Sequence, residues 1–150
     1  MKFYTVTPKP YIKLRILATL IDYGIFLGLS ILYIYTFGEK TDDNTRVVHG
    51  SMAPVVPVFW FLYFVVTEAV NQATPGHDIC KLRVVKTSGH KTTFSDAFKR
   101  RICDPIDIGI YGIPALICVS KTTLHQRIGD IFAGTLVVKL SDIEEKEVTF

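Results

Sequence analysis

Cysteine is scarce in this chain, and its three cysteines, Cys80, Cys103 and Cys118, are odd in number. A disulfide framework normally needs an even set, so we expect these three to be small buried hydrophobic residues. The nearest pairing of potential metal ligands, His77 and Cys80, has no further ligand at a usual spacing. GxSxG, HExxH, P-loop and Rossmann patterns are also missing. The sequence therefore predicts no metal, no other cofactor and no enzymatic activity.

Charge is nearly absent from residues 16–37 and 53–67, and it is crowded between residues 77 and 101. A transmembrane helix needs about 20 apolar residues, so this segregation predicts a polytopic membrane protein. The first run is longer than the roughly 7–15 residues of a signal-peptide core, and no small-x-small cleavage site follows it. We interpret it as a retained membrane anchor.

Asp22 is the one acid inside the first apolar run, and Arg15 lies at the start of that run. Seven positions separate them, close to two helical turns, so both side chains point to one face. An acid at that depth costs about 2.5–3.5 kcal/mol on insertion scales. One interpretation is a coupled Arg15–Asp22 pair in a cation or proton path. The other is that Arg15 anchors the interface while Asp22 hydrogen-bonds a neighbouring helix.

The predicted fold class is an all-α membrane protein with two transmembrane helices, a third broken or re-entrant segment and a short cytosolic strand pair. The third segment is short and is interrupted by Gly109, Gly112 and Pro114. The chain is expected to form one membrane domain over 1–150. Its parts are the spans at about 15–37, 54–72 and 104–120, a cytosolic segment at 73–103 and a tail at 121–150.

The strand pair rests on two similar runs, residues 83–86 and 136–139, which both end in Val-Val-Lys. If they pair, the tail is cytosolic and the third segment enters and leaves by one face. If the third segment crosses fully, the two runs lie in different compartments. Residues 141–150 are acidic and are expected to be frayed.

A cluster of bases, Lys99, Arg100 and Arg101, follows apolar residues at helical spacing over residues 94–102. This pattern predicts a helix in the inner interface whose bases face anionic lipid.

Three further acids, Glu68, Asp104 and Asp107, are predicted near the same membrane face. They are oxygen donors of the type that holds a hard cation. Alternatively, they are interface acids that pair with Arg100 and Arg101.

The bases before the first span, among them Lys9 and Lys13, predict a cytosolic N-terminus in an inner or plasma membrane. The loop over residues 38–52 carries Asp42 and Asp43 and few bases, which fits the outer side. The modest net charge of +3 gives no reason to expect nucleic-acid binding.

Four stretches in this order resemble the RDD family of small membrane proteins. They are Leu14–Asp22 (LRILATLID), the Thr-Pro-Gly turn at 74–76 before Lys-Leu-Arg-Val-Val, Arg100-Arg101, and residues 127–138 (RIGDIFAGTLVV). The family is named for one arginine and two aspartates, which the resemblance maps to Arg15, Asp22 and Asp130. His77 departs from the family pattern, which usually has lysine or another polar residue there. The resemblance implies a transport-related role, with cation/proton exchange proposed for some members.

Two functions are consistent with these patterns. The first is a transport-related homo-oligomer, because two or three short spans do not enclose a pathway alone; Gly24 and Gly28 would form its small-residue contact face. The second is a membrane-embedded assembly subunit that binds a partner subunit, in which Arg15, Asp22 and Asp130 are structural. We expect Asp130 to pair with Arg15 and so dock the tail on the first helix. In both cases the chain contacts the lipid bilayer.

Overall fold

The computed structural model describes residues 2–41 and 45–147 of the chain. It is mostly helical, with eight α-helices in the described residues. They are α1 Ile12–Phe37, α2 Val55–Trp60, α3 Thr67–Asn71, α4 Pro75–Ile79, α5 Phe94–Ile102, α6 Asp104–Asp107, α7 Ile113–Lys121 and α8 Ile128–Ala133. The strands are β1 Lys2–Val6, β2 Glu39–Lys40, β3 Arg46–Val47, β4 Leu82–Lys86, β5 Thr135–Lys139 and β6 Ile143–Glu147.

α1 is the first of two helices that are long and apolar enough to cross a bilayer. Its 26 residues rise about 39 Å at 1.5 Å each, more than the hydrocarbon thickness of about 30 Å. It ends at Phe37, as the sequence predicts, and most of its aliphatic side chains are exposed in the isolated chain. Lipid is the environment that such a surface requires.

The second span covers Gly50–Asn71 and is not a uniform α-helix. A 3₁₀ turn at Gly50–Met52 precedes α2, and a π-helical stretch at Phe61–Val66 joins α2 to α3. The π-helical stretch carries Phe64 and Val65, both fully buried. Wide turns of this kind are frequent at functional sites.

The third apolar segment consists of α6 and α7, joined by a turn over residues 108–112. Tyr111 and Gly112 have positive φ angles of 52° and 74°, which reverse the chain direction locally. The nine residues of α7 rise only about 14 Å, less than half of the hydrocarbon thickness. Neither helix of this segment crosses a bilayer by itself.

The two runs that the sequence suggests as partners are β4 and β5, which form an antiparallel ladder from Leu82–Lys139 to Lys86–Thr135. Leu82, Val84 and Val137 pack together with Ala18 of α1. Tyr11 and Leu14, near the start of α1, pack against this cluster. The ladder therefore packs against the N-terminal end of α1 and covers its apolar side chains there.

The expectation of a frayed tail is wrong for residues 143–147. β6 pairs with β1 in an antiparallel ladder from Lys2–Glu147 to Val6–Ile143. Backbone pairing with the opposite end of the chain stabilises a stretch whose acidic composition alone indicates coil. In the loop between the two spans, β2 and β3 also pair, while Asp42, Asp43 and residues 148–150 lie outside the described residues.

Candidate functional site

A network of buried ion pairs joins both spans to α5, α6 and α8. Four guanidinium groups meet four carboxylates in it, so their formal charges cancel. The arginines are Arg15, Arg100, Arg101 and Arg127, and the acids are Glu68, Asp104, Asp107 and Asp130. We refer to these eight residues as the ion-pair network.

Glu68 connects the second span to α5. Its Oε1 lies 2.6 Å from Nη1 of Arg100, and its Oε2 lies 2.6 Å from Nη2 of Arg101. The side chains of Glu68 and Arg100 are 0% exposed, and that of Arg101 is 2% exposed. The Arg101 guanidinium also lies 4.9 Å from the centre of the Phe64 ring, a cation–π contact inside the π-helical stretch.

Asp130 connects α8 to α1 and α5. Arg100 Nε donates to Asp130 Oδ1 at 2.8 Å, and Arg15 Nη1 donates to Asp130 Oδ2 at 3.2 Å. Arg15 also donates to the backbone carbonyl of Val137 in β5 at 3.1 Å. Burial alone would raise the pKa of Asp130, but the guanidinium groups of Arg100, Arg127 and Arg15 outweigh it and hold the pKa well below its usual range.

Asp104 is shared by two arginines and a tyrosine. Its Oδ2 accepts from Tyr23 Oη of α1 at 2.9 Å and from Arg101 Nη1 at 3.2 Å. Its Oδ1 lies 2.9 Å from Nη1 of Arg127. This carboxylate therefore holds the start of the third segment against α1.

Asp107 differs from the other three acids because its main partners are backbone amides. It accepts from the N–H groups of Ile128 at 3.1 Å and Gly129 at 2.9 Å, the first residues of α8. Free N–H groups at a helix start favour a carboxylate. A Cβ at position 129 would lie 2.6 Å from the Arg100 carbonyl oxygen, so glycine is required where α8 approaches α5.

The cost of burying charge explains why each carboxylate of the network is paired. Removing one partner from a buried ion pair typically costs about 3–5 kcal/mol, because the remaining charge loses both solvent and partner. Every carboxylate of this network has at least two polar contacts. The network is therefore a closed scaffold rather than an open set of cation ligands, and no metal-binding group of His, Cys, Asp or Glu occurs in the described residues.

Asp22 lies outside the ion-pair network in a second polar site. It is 1% exposed, and four groups point to its carboxylate. They are Thr74 Oγ1 at 2.5 Å, the Gly76 N–H at 2.7 Å, His77 Nδ1 at 3.2 Å and Tyr63 Oη at 3.3 Å. Hydrogen bonds from donors such as these stabilise an ionised carboxylate. We refer to Asp22, Thr74 and His77 as the Asp–Thr–His site.

The turn from residue 74 to 76 makes this site possible. A Cβ at Gly76 would press on the Ala18 carbonyl oxygen and lie 2.9 Å from Asp22 Oδ1. Glycine therefore lets the backbone amide approach the carboxylate closely. The short helix α4, which the sequence interpretation missed because it treated Pro75-Gly76 only as a turn, then carries His77 to the same acid.

His77 is the group of this site that can change charge near neutral pH. Burial lowers its pKa below the ordinary value; hydrogen bonding to Asp22 acts in the opposite direction, and the guanidinium groups of Arg101 and Arg100 lower the pKa further. These effects favour the neutral form of His77 over what an exposed histidine would show. Thr74 Oγ1 lies 2.8 Å from His77 Nδ1, so a hydroxyl connects the imidazole to the carboxylate.

Among the residues that the sequence singles out, the structure pairs Arg15 with Asp130 as expected, which docks the tail on α1. In the described residues no ion pair joins Arg15 to Asp22, so the two are not a coupled pair. Glu68 and Asp104 form the pairs with Arg100 and Arg101 that the sequence offered as the alternative to cation binding.

The expectation that Arg100 and Arg101 face lipid is wrong. Lys99 is exposed, but Arg100 and Arg101 are turned inward, because the acids of the second span, α6 and α8 lie on that side of α5. Pairing with buried carboxylates replaces the solvent or lipid headgroups that those bases would otherwise need.

Thr74, His77 and Arg127 are the site residues to which sequence reasoning gave no role. Thr74 and Arg127 fall inside two of the stretches that resemble the family, and Arg127 is three positions from Asp130. That spacing places two residues on one side of a helical turn and was the available signal.

Two apolar spans tied at one end by buried ion pairs define a small integral membrane protein. The RDD family model matches residues 10–134, which is most of the chain and includes both polar sites, and the chain therefore belongs to the RDD family. Neither the curated proteins nor the solved structures contain a match to it.

Proposed function

We propose that this chain is one subunit of a cation/proton transport protein in an inner or plasma membrane. Protons exchange at the Asp–Thr–His site, while the ion-pair network holds the helices around it. The observation that carries the proposal is the 3.2 Å contact between His77 Nδ1 and Asp22 Oδ2 in a buried position at one end of a membrane span.

The chemistry of the Asp–Thr–His site supports proton exchange. A neutral imidazole beside an ionised carboxylate becomes an ion pair when it takes up a proton, and histidine is the side chain whose charge changes most readily near neutral pH. The Thr74 hydroxyl bridges the two groups and can pass the proton between them. Ionisable residues in membrane segments commonly mark ion pathways.

The ion-pair network takes a different role in this proposal. Its carboxylates are already bound to guanidinium groups or backbone amides, so none of them is an open cation ligand. Of the three residues that give the family its name, Asp22 is therefore assigned to exchange, and Arg15 and Asp130 to holding the tail against α1.

The proposed orientation follows from charge and geometry. Lys9 and Lys13 precede α1, which favours a cytosolic N-terminus by the positive-inside rule. The β4–β5 ladder packs on that same end of α1, and α7 lies beside the first turns of α1 around Ile16 and Leu20. We therefore assign the ladder to the cytosolic side and the third segment to a re-entrant path.

A homo-oligomer is part of the proposal because two spans do not enclose a pathway. Gly24 and Gly28 lie one turn apart on α1, and a Cβ on either would have no neighbour within 4 Å in the isolated chain. Small residues at this spacing let two helices approach closely. A second copy is the neighbour that we assign to this face.

The decisive experiment compares Asp22→Asn with Asp78→Asn in sealed vesicles. Asp78 is an exposed carboxylate close to the same site, so its variant is a matched control. We expect cation-dependent proton flux, followed with a pH-sensitive dye, to be lost in Asp22→Asn and retained in Asp78→Asn. Equal flux in both variants, or no flux in the parent protein, would contradict the proposal.

The second candidate function is a membrane-embedded assembly subunit without transport activity. The observation that favours it is the closed ion-pair network, since a rigid scaffold is what a docking subunit needs. In that case the parent protein carries no flux, and a stoichiometric partner copurifies with both the parent and Asp22→Asn. A homo-oligomer that transports without any partner would count against this function.

A further inference from the structure

A cavity of about 370 Å³ lies between the first turns of α1 and the third segment. Its walls are apolar and come from both elements, with Ile16 and Leu20 on α1 and Ile108, Leu116 and Val119 opposite. Its volume falls within the range of small-molecule sites, which is about 300–1,000 Å³. The ion-pair network and the Asp–Thr–His site do not account for this cavity.

Two arginines interrupt the apolar lining, Arg15 and Arg127. They are the members of the ion-pair network that still reach the surface, with side chains 11% and 12% exposed. Arg100 and Arg101 are 0% and 2% exposed. The cavity thus combines a long hydrophobic wall with two guanidinium groups at one position.

Both arginines also retain hydrogen-bonding capacity. Nε of Arg15 and Nη2 of Arg127 are buried and have no hydrogen-bond partner in the described residues; Nη2 of Arg100 and Nε of Arg101 also have none, but those two arginines do not line the cavity. Arg127 Nε is 3.5 Å from Asp130 and 3.8 Å from Asp107, both long for a charged pair. A further anionic oxygen would satisfy donors that the protein's own carboxylates leave free.

The position of the cavity indicates which molecule would supply this anionic oxygen. Arg15 lies at the start of the first span, where lipid phosphates lie, and Ile16 and Leu20 continue from it along the membrane-embedded helix. Ile16 and Leu20 are 42% and 66% exposed in the isolated chain. A ligand with an anionic head and an apolar tail matches both parts of the site.

We infer that this cavity binds an anionic phospholipid from the surrounding bilayer. Its phosphate receives hydrogen bonds from Arg15 and Arg127, and an acyl chain lies between α1 and α7. The site is independent of proton exchange, so it holds whether the chain transports or only assembles. It also gives the third segment a second contact with α1, made through lipid.

The test uses the full chain in nanodiscs of equal amounts of phosphatidylglycerol and phosphatidylcholine, with bound lipid counted by native mass spectrometry after release into detergent. We expect retained phosphatidylglycerol to exceed phosphatidylcholine by about tenfold, because phosphatidylglycerol has a net negative charge, whereas the choline ammonium of phosphatidylcholine offsets its phosphate and is repelled by the two guanidinium groups. Equal retention of the two lipids would overturn the inference.

A matched pair of variants separates the cavity from the rest of α7. Ala115→Trp fills the cavity, whereas Ile117→Trp adds the same side chain to an exposed position that does not line it. Neither residue belongs to the ion-pair network. We expect Ala115→Trp to lose phosphatidylglycerol and Ile117→Trp to keep it; retention in both would overturn the inference.

Two alternative occupants give different results. If inorganic phosphate in detergent protects the chain from thermal unfolding as well as phosphatidylglycerol does, an anion alone is bound and the lipid assignment is wrong. If Ala115→Trp disrupts the oligomer and leaves retained lipid unchanged, the cavity is an interface between copies, and the lipid assignment is again wrong.

Discussion

The two membrane spans contact each other through polar groups at one end and expose mainly apolar side chains at the other. At one end Asp22 and Glu68 are buried among partners supplied by the chain itself, and the helices meet through ion pairs and hydrogen bonds. At the other end Leu27, Ile31 and Leu32 are 51%, 65% and 60% exposed. Beyond Asp22 the two spans meet through the stacked Phe26 and Phe59 rings and a hydrogen bond from Tyr33 to the Met52 carbonyl.

This difference shows that the two ends of the spans are stabilised by different interactions. At the charged end every carboxylate finds its partners within one chain, because charge and hydrogen-bond geometry select particular groups. The apolar end presents its aliphatic side chains to lipid, which supplies hydrophobic contact without selecting a partner. Substitutions at the charged end should therefore affect folding, and those at the apolar end should affect it little.

The largest expected effect is at Arg100. Arg100→Met leaves Glu68 with one guanidinium partner and removes the closest partner of Asp130, so we expect a loss of about 3–5 kcal/mol in the free energy of unfolding. Denaturant unfolding in mild detergent measures it. Lys99→Met, one residue away and exposed, should change that free energy by less than about 0.5 kcal/mol. Similar losses in the two variants would show that the buried charges are not the stabilising feature.

An intermediate effect, and a change of sign, is expected when alanine replaces two glycines, one in the turn beside Asp22 and one on the exposed face of α1. Gly76→Ala places a Cβ 2.8 Å from Asp22 Cγ, and relieving that overlap should cost about 1–3 kcal/mol. Gly24→Ala meets no atom of its own chain within 4 Å, so in the detergent-dissociated monomer it should stabilise the helix by about 0.5–1 kcal/mol. The midpoint temperature of thermal unfolding in detergent should fall for Gly76→Ala and rise for Gly24→Ala. Shifts in the same direction for both variants would contradict this prediction.

The smallest expected effect is the pH dependence from His77. Its pKa is lower in the folded chain than in the unfolded chain, so the unfolded chain binds more protons as the pH falls. The free energy of unfolding should not depend on His77 protonation above about pH 6.5, the ordinary histidine pKa. It should decline as the pH falls from there through the pKa of His77 in the folded chain. His77→Gln should lose about 1 kcal/mol at neutral pH and abolish this decline.

His49→Gln provides the control, because His49 is exposed at the opposite end of the spans. Its unfolding free energy should follow the parent's pH dependence. A decline that persists in His77→Gln would assign the pH sensitivity to another group.

Elements governed by local pattern could be predicted from the sequence. The apolar run ending at Gly38 predicts α1, the spaced apolar residues over 94–102 predict α5, and the repeated Val-Val-Lys predicts β4 and β5. In each case the deciding residues lie within one element or in two similar runs. The family membership also followed, because four short stretches occur in one order.

The candidate site could be predicted only in part, because its contacts connect distant parts of the chain. Whether Arg100 faces lipid or protein depends on Glu68 and Asp130, which are 32 and 30 residues away. The spacing of Arg15 and Asp22 predicts a shared helix face. It does not predict that Asp22 forms hydrogen bonds with Thr74 and His77 instead of an ion pair with Arg15. The role of His77 depends on α4, a five-residue helix behind a turn signal.

The pair between Arg15 and Asp130 spans 115 positions, which has a consequence for the order of synthesis. The ribosome synthesises α1, with Arg15 near its start, long before it synthesises Asp130, the acid that pairs with Arg15. A chain released after Arg127 and before Asp130 holds four guanidinium groups against three carboxylates. Such a chain should insert into the membrane but leave Arg15 and Arg100 without the carboxylate that they share.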